Sequence, residues 1–377
     1  MPAPPYRSYV LISRGQIARN FLNVKAAVGP RIEVLGVVKA DAYGHGAIEV
    51  ARVLEAEGAR WLAVSSVEEG ATLRRAGLKA RILVMAGFLP DELDVLVEQQ
   101  LTPAVHSLAD VAELERLGRR LGREITFHLK IDSGMSRLGT RAQVAEILET
   151  LSTLRAARLE GLMTHFASAA DYSSAQTDQQ VSLFHEVLVP LKHAGVTPEY
   201  VHLSSTTAVA YGRTEAWHNM VRPGHALYGY VSPARGAAPA PILEVKPVLT
   251  WKAKILVVKD LPEGALVGYG GSFRVSRPTR VAVLALGYAD GLPHRLSNKG
   301  RVIAGGKPAP ILGTVSMDLT TIDLTQAPSL RPGDEVTILG AEGEARLDAQ
   351  QIARLAGTIS YNVLCGISPR VKRVYVD

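Results

Sequence analysis

Short apolar runs alternate with longer amphipathic ones along the first two thirds of the chain. Residues 33–38 (EVLGVV) predict a buried strand, and 48–58 predict a helix with Val50, Val53 and Leu54 on one face. Further strands are predicted over 61–64, 81–85, 125–131 and 159–164, with shorter pieces over 200–203 and 220–227. Helices fall between them. Ser66 to Glu69 (SVEE) has capping-box spacing and opens one. Leu108, Val111, Leu114, Leu117 and Leu121 form the stripe of another, after Ser107 with Asp110 three residues on. Residues 144–154 and 181–194 complete the set. Such alternation is the mark of a parallel sheet with crossover helices, and about eight strands in this length fit a (β/α)8 TIM-like barrel. An open doubly wound sheet is the alternative, weakened because no G-x-G-x-x-G follows the first strand.

The pattern changes after Tyr230. Residues 232–241 (SPARGAAPAP) read as a Pro/Ala-rich linker. Strand-like runs follow at 249–258, 280–286, 301–303, 309–312, 335–339 and 371–376, with helical pattern confined to 348–356. The expected division is a barrel over 10–235 and a C-terminal mostly-β domain over 236–377, with the N-terminal strand 1–9 packing against the latter.

A chain of 377 residues suits two or three domains, and its 47% hydrophobic content supports a sizeable core. No apolar run is long enough to span a membrane as a helix. The start, Met1 to Tyr6, lacks a basic segment followed by an apolar stretch, so a cytoplasmic location is expected by default. The net charge of +6 comes from scattered Lys and Arg, without a basic stripe interleaved with aromatics. Nucleic acid is therefore not the expected partner, whereas small anions would benefit. The one cysteine, Cys365, excludes an internal disulfide and a multi-cysteine metal site, and is expected to be a buried structural thiol. No metal is expected.

The strongest chemical candidate is Val37-Val38-Lys39-Ala-Asp41-Ala-Tyr43-Gly44-His45-Gly46. Lys39 sits where a buried strand ends, the position at which barrels build active sites. Held against apolar neighbours, its amine would be a nucleophile able to form an imine with a carbonyl such as that of pyridoxal phosphate (PLP). Taken alone, the spacing favours a lysine that snorkels to the surface.

The string resembles the PLP-lysine signature of the alanine racemase family, PLP-dependent enzymes of fold-type III. Further segments resemble that family in order: His128-Leu-Lys130-Ile-Asp132-Ser-Gly134-Met135-Ser-Arg137-Leu-Gly139, Thr164-His165-Phe166-Ala167, Val221-Arg222-Pro223-Gly224, Ala226-Leu227-Tyr228-Gly229 and Gly268-Tyr269-Gly270. Gly287-Tyr288-Ala289-Asp290-Gly291, Ser316-Met317-Asp318 and Thr358-Ile359-Ser360-Tyr361 complete a likeness that covers nearly the whole chain.

The resemblance implies a homodimer with shared sites that interconverts L- and D-alanine and so supplies D-alanine for peptidoglycan. It implies PLP on Lys39, which also serves as base toward the D-enantiomer, and Tyr269 of the partner subunit as base toward the L-enantiomer. A tyrosine ordinarily ionises near pH ~10, so a basic Tyr269 needs positive charge nearby; Arg222 and His202 match a family relay that provides it. Taken alone, His202 reads as a satisfied core histidine. Arg222 matches the residue facing the PLP ring nitrogen, where an always-protonated group limits the electron sink and side reactions such as transamination.

Tyr43 and Tyr361 match phosphate-binding tyrosines. Ser205 and Thr206 fall where the family usually has Asn-Ser, and Gly224 is a further phosphate contact; His225 replaces a common Ile. Arg137 is expected to meet the substrate carboxylate. Lys130 matches a lysine often carried as a carbamate that orients the arginine, the plain alternative being an unmodified Lys130 paired with Asp132. His165 is expected to stack on the cofactor ring, Met317 to contact substrate from the partner subunit, and Tyr288 to line the entrance. Two alternatives remain. A PLP racemase of broader specificity or a decarboxylase would share the architecture, although the decarboxylases' glycine-triplet motif is missing. A non-catalytic PLP-binding protein would usually lack the second domain.

Overall fold

In the computed structural model, which describes residues 4–377, the chain divides into two units. One comprises Ile17–Ala42 and Ala47–Lys246; the other comprises the chain up to Gln16, Tyr43–Gly46 and Pro247–Asp377.

The first strand, β1 (Ser8–Ser13), runs straight into helix α1 (Arg14–Val28), with the Ser13 hydroxyl accepting from Gln16 N at 3.0 Å. Eight parallel strands follow: β2 (Glu33–Val37), β3 (Trp61–Val64), β4 (Arg81–Val84), β5 (Thr102–Val105), β6 (Ile125–Lys130), β7 (Ala157–Met163), β8 (Tyr200–His202) and β9 (Met220–Val221). Their order is β8-β7-β6-β5-β4-β3-β2-β9, and a parallel bridge between Ser205 and Arg222 brings the two ends together. This is the expected barrel. Every residue of β3 and β5 is buried, as befits strands covered on both faces.

The hydrophobic alternation does not place β5 or α1. A four-residue strand carrying Pro103 lacks one ladder donor, which argues against a strand in sequence terms. For α1 the stripe Ile17, Phe21, Val24 and Val28 is present, but no loop separates it from β1. The expected strand over 220–227 stops at Val221, because Pro223-Gly224 breaks it and a 3-10 turn, His225–Tyr228, takes over.

The seam falls between Lys246 and Pro247, beyond the expected 235/236. The Pro/Ala-rich stretch is pinned to the barrel unit rather than linking freely. Tyr172 N donates to Arg235 O (2.9 Å), Ile242 N to Ala210 O (2.7 Å) and Lys246 N to Asn20 Oδ1 (3.1 Å).

In the second unit, the long strand β10 (Leu249–Leu261) pairs with β1, with Thr279–Leu284 and with Glu335–Glu342, all antiparallel. β1 also pairs in parallel with Lys372–Val376. Alternation along β10 buries Leu249, Trp251, Ala253 and Ile255. Helix Ala349–Ala356 starts at the cap Asp348; a second short helix, Ser360–Cys365, lies where none was expected. Cys365 is exposed, against the expectation of a buried thiol, because it falls on the outer face of that helix.

Candidate active site

Lys39 follows β2 by two residues, Lys130 ends β6, His165 follows β7, His202 ends β8, and Arg222 follows β9. All of them therefore sit at the carboxyl ends of the barrel strands, where this architecture places its chemistry.

The turn that begins at Lys39 is left-handed. Ala40, Asp41, Ala42 and Tyr43 have φ of 52°, 52°, 53° and 55°. Non-glycine residues in that conformation cost about 1–2 kcal/mol each, so the turn needs outside support. Glu69 supplies part of it: one carboxylate oxygen accepts from Ala40 N at 2.8 Å and the other from Ser65 N at 2.7 Å. Asp41 Oδ1 accepts from Ala47 N at 2.7 Å. The SVEE capping box is thus half made. Ser66 accepts from Glu69 N at 3.3 Å, but the Glu69 carboxylate serves the lysine turn instead of returning to Ser66. Sequence spacing exposed this glutamate and hid its task.

Four cations converge at the barrel mouth. Arg222, Arg137 and Lys39 all act electrostatically on Lys130, and all four act on His165. Burial, then Arg222 and Arg137, lowers the Lys130 amine to about 8. Burial, then Arg222, pushes His165 down to about 3, so its ring is neutral. Asp132, the proposed partner of Lys130, is committed elsewhere: it binds Arg141 Nε at 2.8 Å and accepts from the amides of Gly134, Met135 and Ser136. Arg137 is exposed in that same loop. His106, which sequence reading missed, follows β5 beside Lys130 in the strand register, and neither ring nitrogen makes a hydrogen bond.

Arg222 is 3% exposed. Its Nη1 donates to His202 Nδ1 (2.8 Å) and His202 O (2.7 Å). Nη2 donates to Thr164 O (2.7 Å), Leu203 O (3.0 Å) and His165 Nδ1 (3.3 Å). Burial lowers its pKa to about 9, so it stays charged at neutral pH. None of these bonds uses Nε, which leaves one N–H donor of a fixed cation for a ligand.

Near Arg222, Thr206 Oγ1 accepts from Gly224 N and Ala226 N, both at 3.1 Å, and retains its own hydrogen to donate. Ser205 precedes the short helix Thr206–Ala210 and makes no side-chain cap bond. His225 is turned inward, buried and stacked on Tyr230 at 5.1 Å. Tyr228 is also buried and donates to Val37 O at 2.9 Å.

The remaining candidates belong to the second unit. Tyr43 and Tyr361 pack together with ring centroids 5.9 Å apart, and burial, then Tyr361, raises the Tyr43 pKa. Tyr269 is 77% exposed and Met317 53%. Tyr288 is partly exposed and meets the His294 ring edge-on at 6.1 Å. Gly287 lets this segment close: a Cβ there would lie 2.2 Å from Met317 O.

The barrel rim thus carries a cluster of two lysines and two arginines, in a chain that also has a mostly-β domain. The family model for the N-terminal domain of alanine racemase matches residues 12–233, and that for the C-terminal domain matches 248–375. The chain belongs to the alanine racemase family. It is 40% identical to the alanine racemase of Halothermothrix orenii over 94% of this chain and 93% of that protein. Among solved structures, the alanine racemase of Bacillus anthracis with bound L-Ala-P is 33% identical, with a TM-score of 0.89 over 100% of this chain and 96% of that one. The alanine racemase of Bartonella henselae with covalently bound pyridoxal phosphate is 27% identical, with a TM-score of 0.88 over 99% of this chain and 100% of that one.

Proposed function

We infer that this chain is a PLP-dependent isomerase that interconverts L- and D-alanine. The observation that carries the reading is the cluster of Lys39, Lys130, Arg137 and Arg222 at the rim of a barrel of this family. The donor set fits PLP. Two anionic groups, a phosphate and a substrate carboxylate, answer the cations, and the Nε of Arg222 remains for the ring nitrogen. PLP, when bound, takes up the electron pair left on Cα when its proton departs.

The residues then divide the work. Lys39 Nζ would hold the cofactor and move the Cα proton on the face used by the D-enantiomer. Tyr269 Oη, contributed by a second copy of this chain, would move the proton on the opposite face. Its exposure on its own subunit supports that assignment, as does that of Met317. The proposed assembly is a homodimer with shared sites, as the family resemblance implies. Arg222 would hold a positive charge toward the ring nitrogen, and His202 orients the guanidinium. Ser205, Thr206, Gly224, Tyr43 and Tyr361 are the proposed phosphate contacts, and the neutral His165 is the stacking partner. Arg137 binds the substrate carboxylate. The lowered Lys130 amine, among cations that would stabilise an anion, supports a carbamate there. Tyr288 is assigned to the entrance. By family resemblance, the product D-alanine feeds peptidoglycan synthesis, and the enzyme acts in the cytoplasm. No helix among the described residues is long and apolar enough to cross a membrane.

The test is an exchange assay in D2O with PLP-loaded protein and L-alanine, with L-serine and L-lysine in parallel. The expected result is loss of the Cα–H signal with D-alanine appearing. Tightly bound PLP without exchange would overturn the reading.

A further inference from the structure

The hydrogen-bond chain that starts at Arg222 does not end at His202. His202 Nε2 lies 2.8 Å from His128 Nδ1, and beyond it His128 Nε2 faces Glu160 Oε2 at 3.6 Å, an electrostatic contact longer than a hydrogen bond. Glu160 is in turn gripped by Arg81, Nη1 to Oε1 at 2.8 Å and Nη2 to Oε2 at 2.6 Å, with Arg158 Nη2 3.6 Å from Oε1. Glu160 is 1% exposed, and both imidazoles are fully buried.

The protein goes to some length to build this line. A register shift between β6 and β7 at Phe127/His128 pairs Leu159 and Gly161 with successive β6 residues and leaves Glu160 as the extra one, the arrangement of a β-bulge. Gly161 makes room for the ring, since a Cβ there would lie 2.5 Å from His128 ring atoms. Trp61 (5.3 Å) and Tyr200 (6.0 Å, stacked) enclose His128, and Arg81 lies over the Trp61 ring at 4.1 Å.

The chemistry of the two ends fixes its direction. Arg222 can only donate, so His202 Nδ1 must accept and its Nε2 must carry the proton. His128 Nδ1 then accepts and its Nε2 carries the proton. Glu160, a carboxylate, can only accept.

We infer that His128 and Glu160 are positioning residues for Arg222: a one-way line, hydrogen-bonded from Arg222 through His202 to His128 and electrostatic from His128 to Glu160, holds the guanidinium in place and sets a buried counter-charge behind it. The inference rests on the reading that Arg222 faces the cofactor ring nitrogen. Burial and Arg222 keep His202 neutral; burial also keeps His128 neutral, so both imidazoles transmit polarisation without carrying charge. Burial alone would raise the Glu160 carboxyl, but the facing His128 and the bonds from Arg81 more than reverse that, to about 2. Without the carboxylate, the guanidinium becomes a stronger proton donor toward the ring nitrogen, and transamination gains on racemisation.

The test has two readouts. Nitrogen-15 NMR of histidine-labelled protein, with and without PLP, reports the tautomers directly. The expected result is a neutral Nε2–H form for both His128 and His202. An Nδ1–H form or an imidazolium at either overturns the chain, whatever the enzyme's activity. The second readout uses PLP-loaded Glu160→Gln, which keeps an acceptor oxygen and loses the charge, beside Glu160→Leu, which loses both. Pyruvate formed per alanine racemised should rise about tenfold in Glu160→Leu, a change of about 1.4 kcal/mol in the acidity of the guanidinium. It should rise less in Glu160→Gln, with KM for alanine nearly unchanged. Glu160→Gln also guards against misfolding, judged by its thermal midpoint. A folded Glu160→Gln and Glu160→Leu pair with the wild-type pyruvate ratio overturns the inference, even though the racemase reading stands. A wild-type protein that does not racemise alanine sinks the functional reading, while the tautomers still decide the chain.

Discussion

Arg222 is buried and spends two of its nitrogens on five protein acceptors. Tyr269 leaves 77% of its surface exposed, on a short segment whose backbone is tied by Thr314 Oγ1 to Tyr269 O at 3.2 Å. The barrel rim is thus organised within one chain before any ligand arrives. The Tyr269 and Met317 segment presents side chains that its own chain does not cover. A rim built internally should tolerate dilution and respond to changes in its own hydrogen bonds. A segment completed by a second copy should fail whenever that copy is missing.

The largest effect is expected at Lys39. Lys39→Ala should lower racemisation by about 10⁴-fold, the upper range for a positioned proton-transfer group, and borohydride should no longer fix PLP to the chain. Tyr269→Phe should cost about 10²-fold or more in the L-to-D direction, again the scale of one general base. PLP binding and its borohydride trapping should survive, and their loss would place Tyr269 in the cofactor site instead. Arg222→Glu should raise pyruvate formation relative to racemisation by at least about tenfold, as a group able to protonate the ring nitrogen strengthens the electron sink. An unchanged ratio would remove Arg222 from the ring.

Glu69→Gln should be milder. An amide has one oxygen where the carboxylate offers two, so either Ala40 N or Ser65 N loses its acceptor. The expected cost is about 1–3 kcal/mol in stability, read by urea denaturation, with slower capture of PLP by the apoprotein. A variant as stable as wild type would mean that the left-handed turn holds itself.

The effect spread most widely over the rim is in pH dependence. His128, His165 and His202 are all held neutral, with pKa values below 6.5, that of His165 at about 3. Between pH 6.5 and about 3 the unfolded chain binds more protons than the folded one. Stability is therefore fully present above pH 6.5 and falls as pH drops, by up to about 1.4 kcal/mol per pH unit for each histidine. Thermal midpoints that stay level from pH 7.5 to 5 would contradict the neutral assignment.

Much of the barrel was legible because its strands are short apolar runs separated by amphipathic helices. Lys39 and the segments around Lys130, His165, Arg222 and Tyr269 stood out by their residue strings. What escaped depends on three-dimensional register. Nothing in the spacing of Leu159, Glu160 and Gly161 announces that a bulge turns the glutamate inward beneath His128. The SVEE string marked a helix start correctly, yet Glu69 reaches across to the neighbouring strand end. Pro103 masked β5, and the helix that exposes Cys365 was too short to carry a periodic signal.

The division between the two regions is tested most directly by heterodimers. Lys39→Ala and Tyr269→Phe chains, co-expressed with different affinity tags, can be purified as a mixed pair. Each parent homodimer is defective at both sites. In the mixed dimer one site combines an intact Lys39 from one chain with an intact Tyr269 from the other. The account predicts recovery of roughly half the wild-type rate, one working site of two in a two-fold symmetric dimer. A mixed dimer that binds PLP and stays as inactive as its parents would contradict the sharing of sites between subunits.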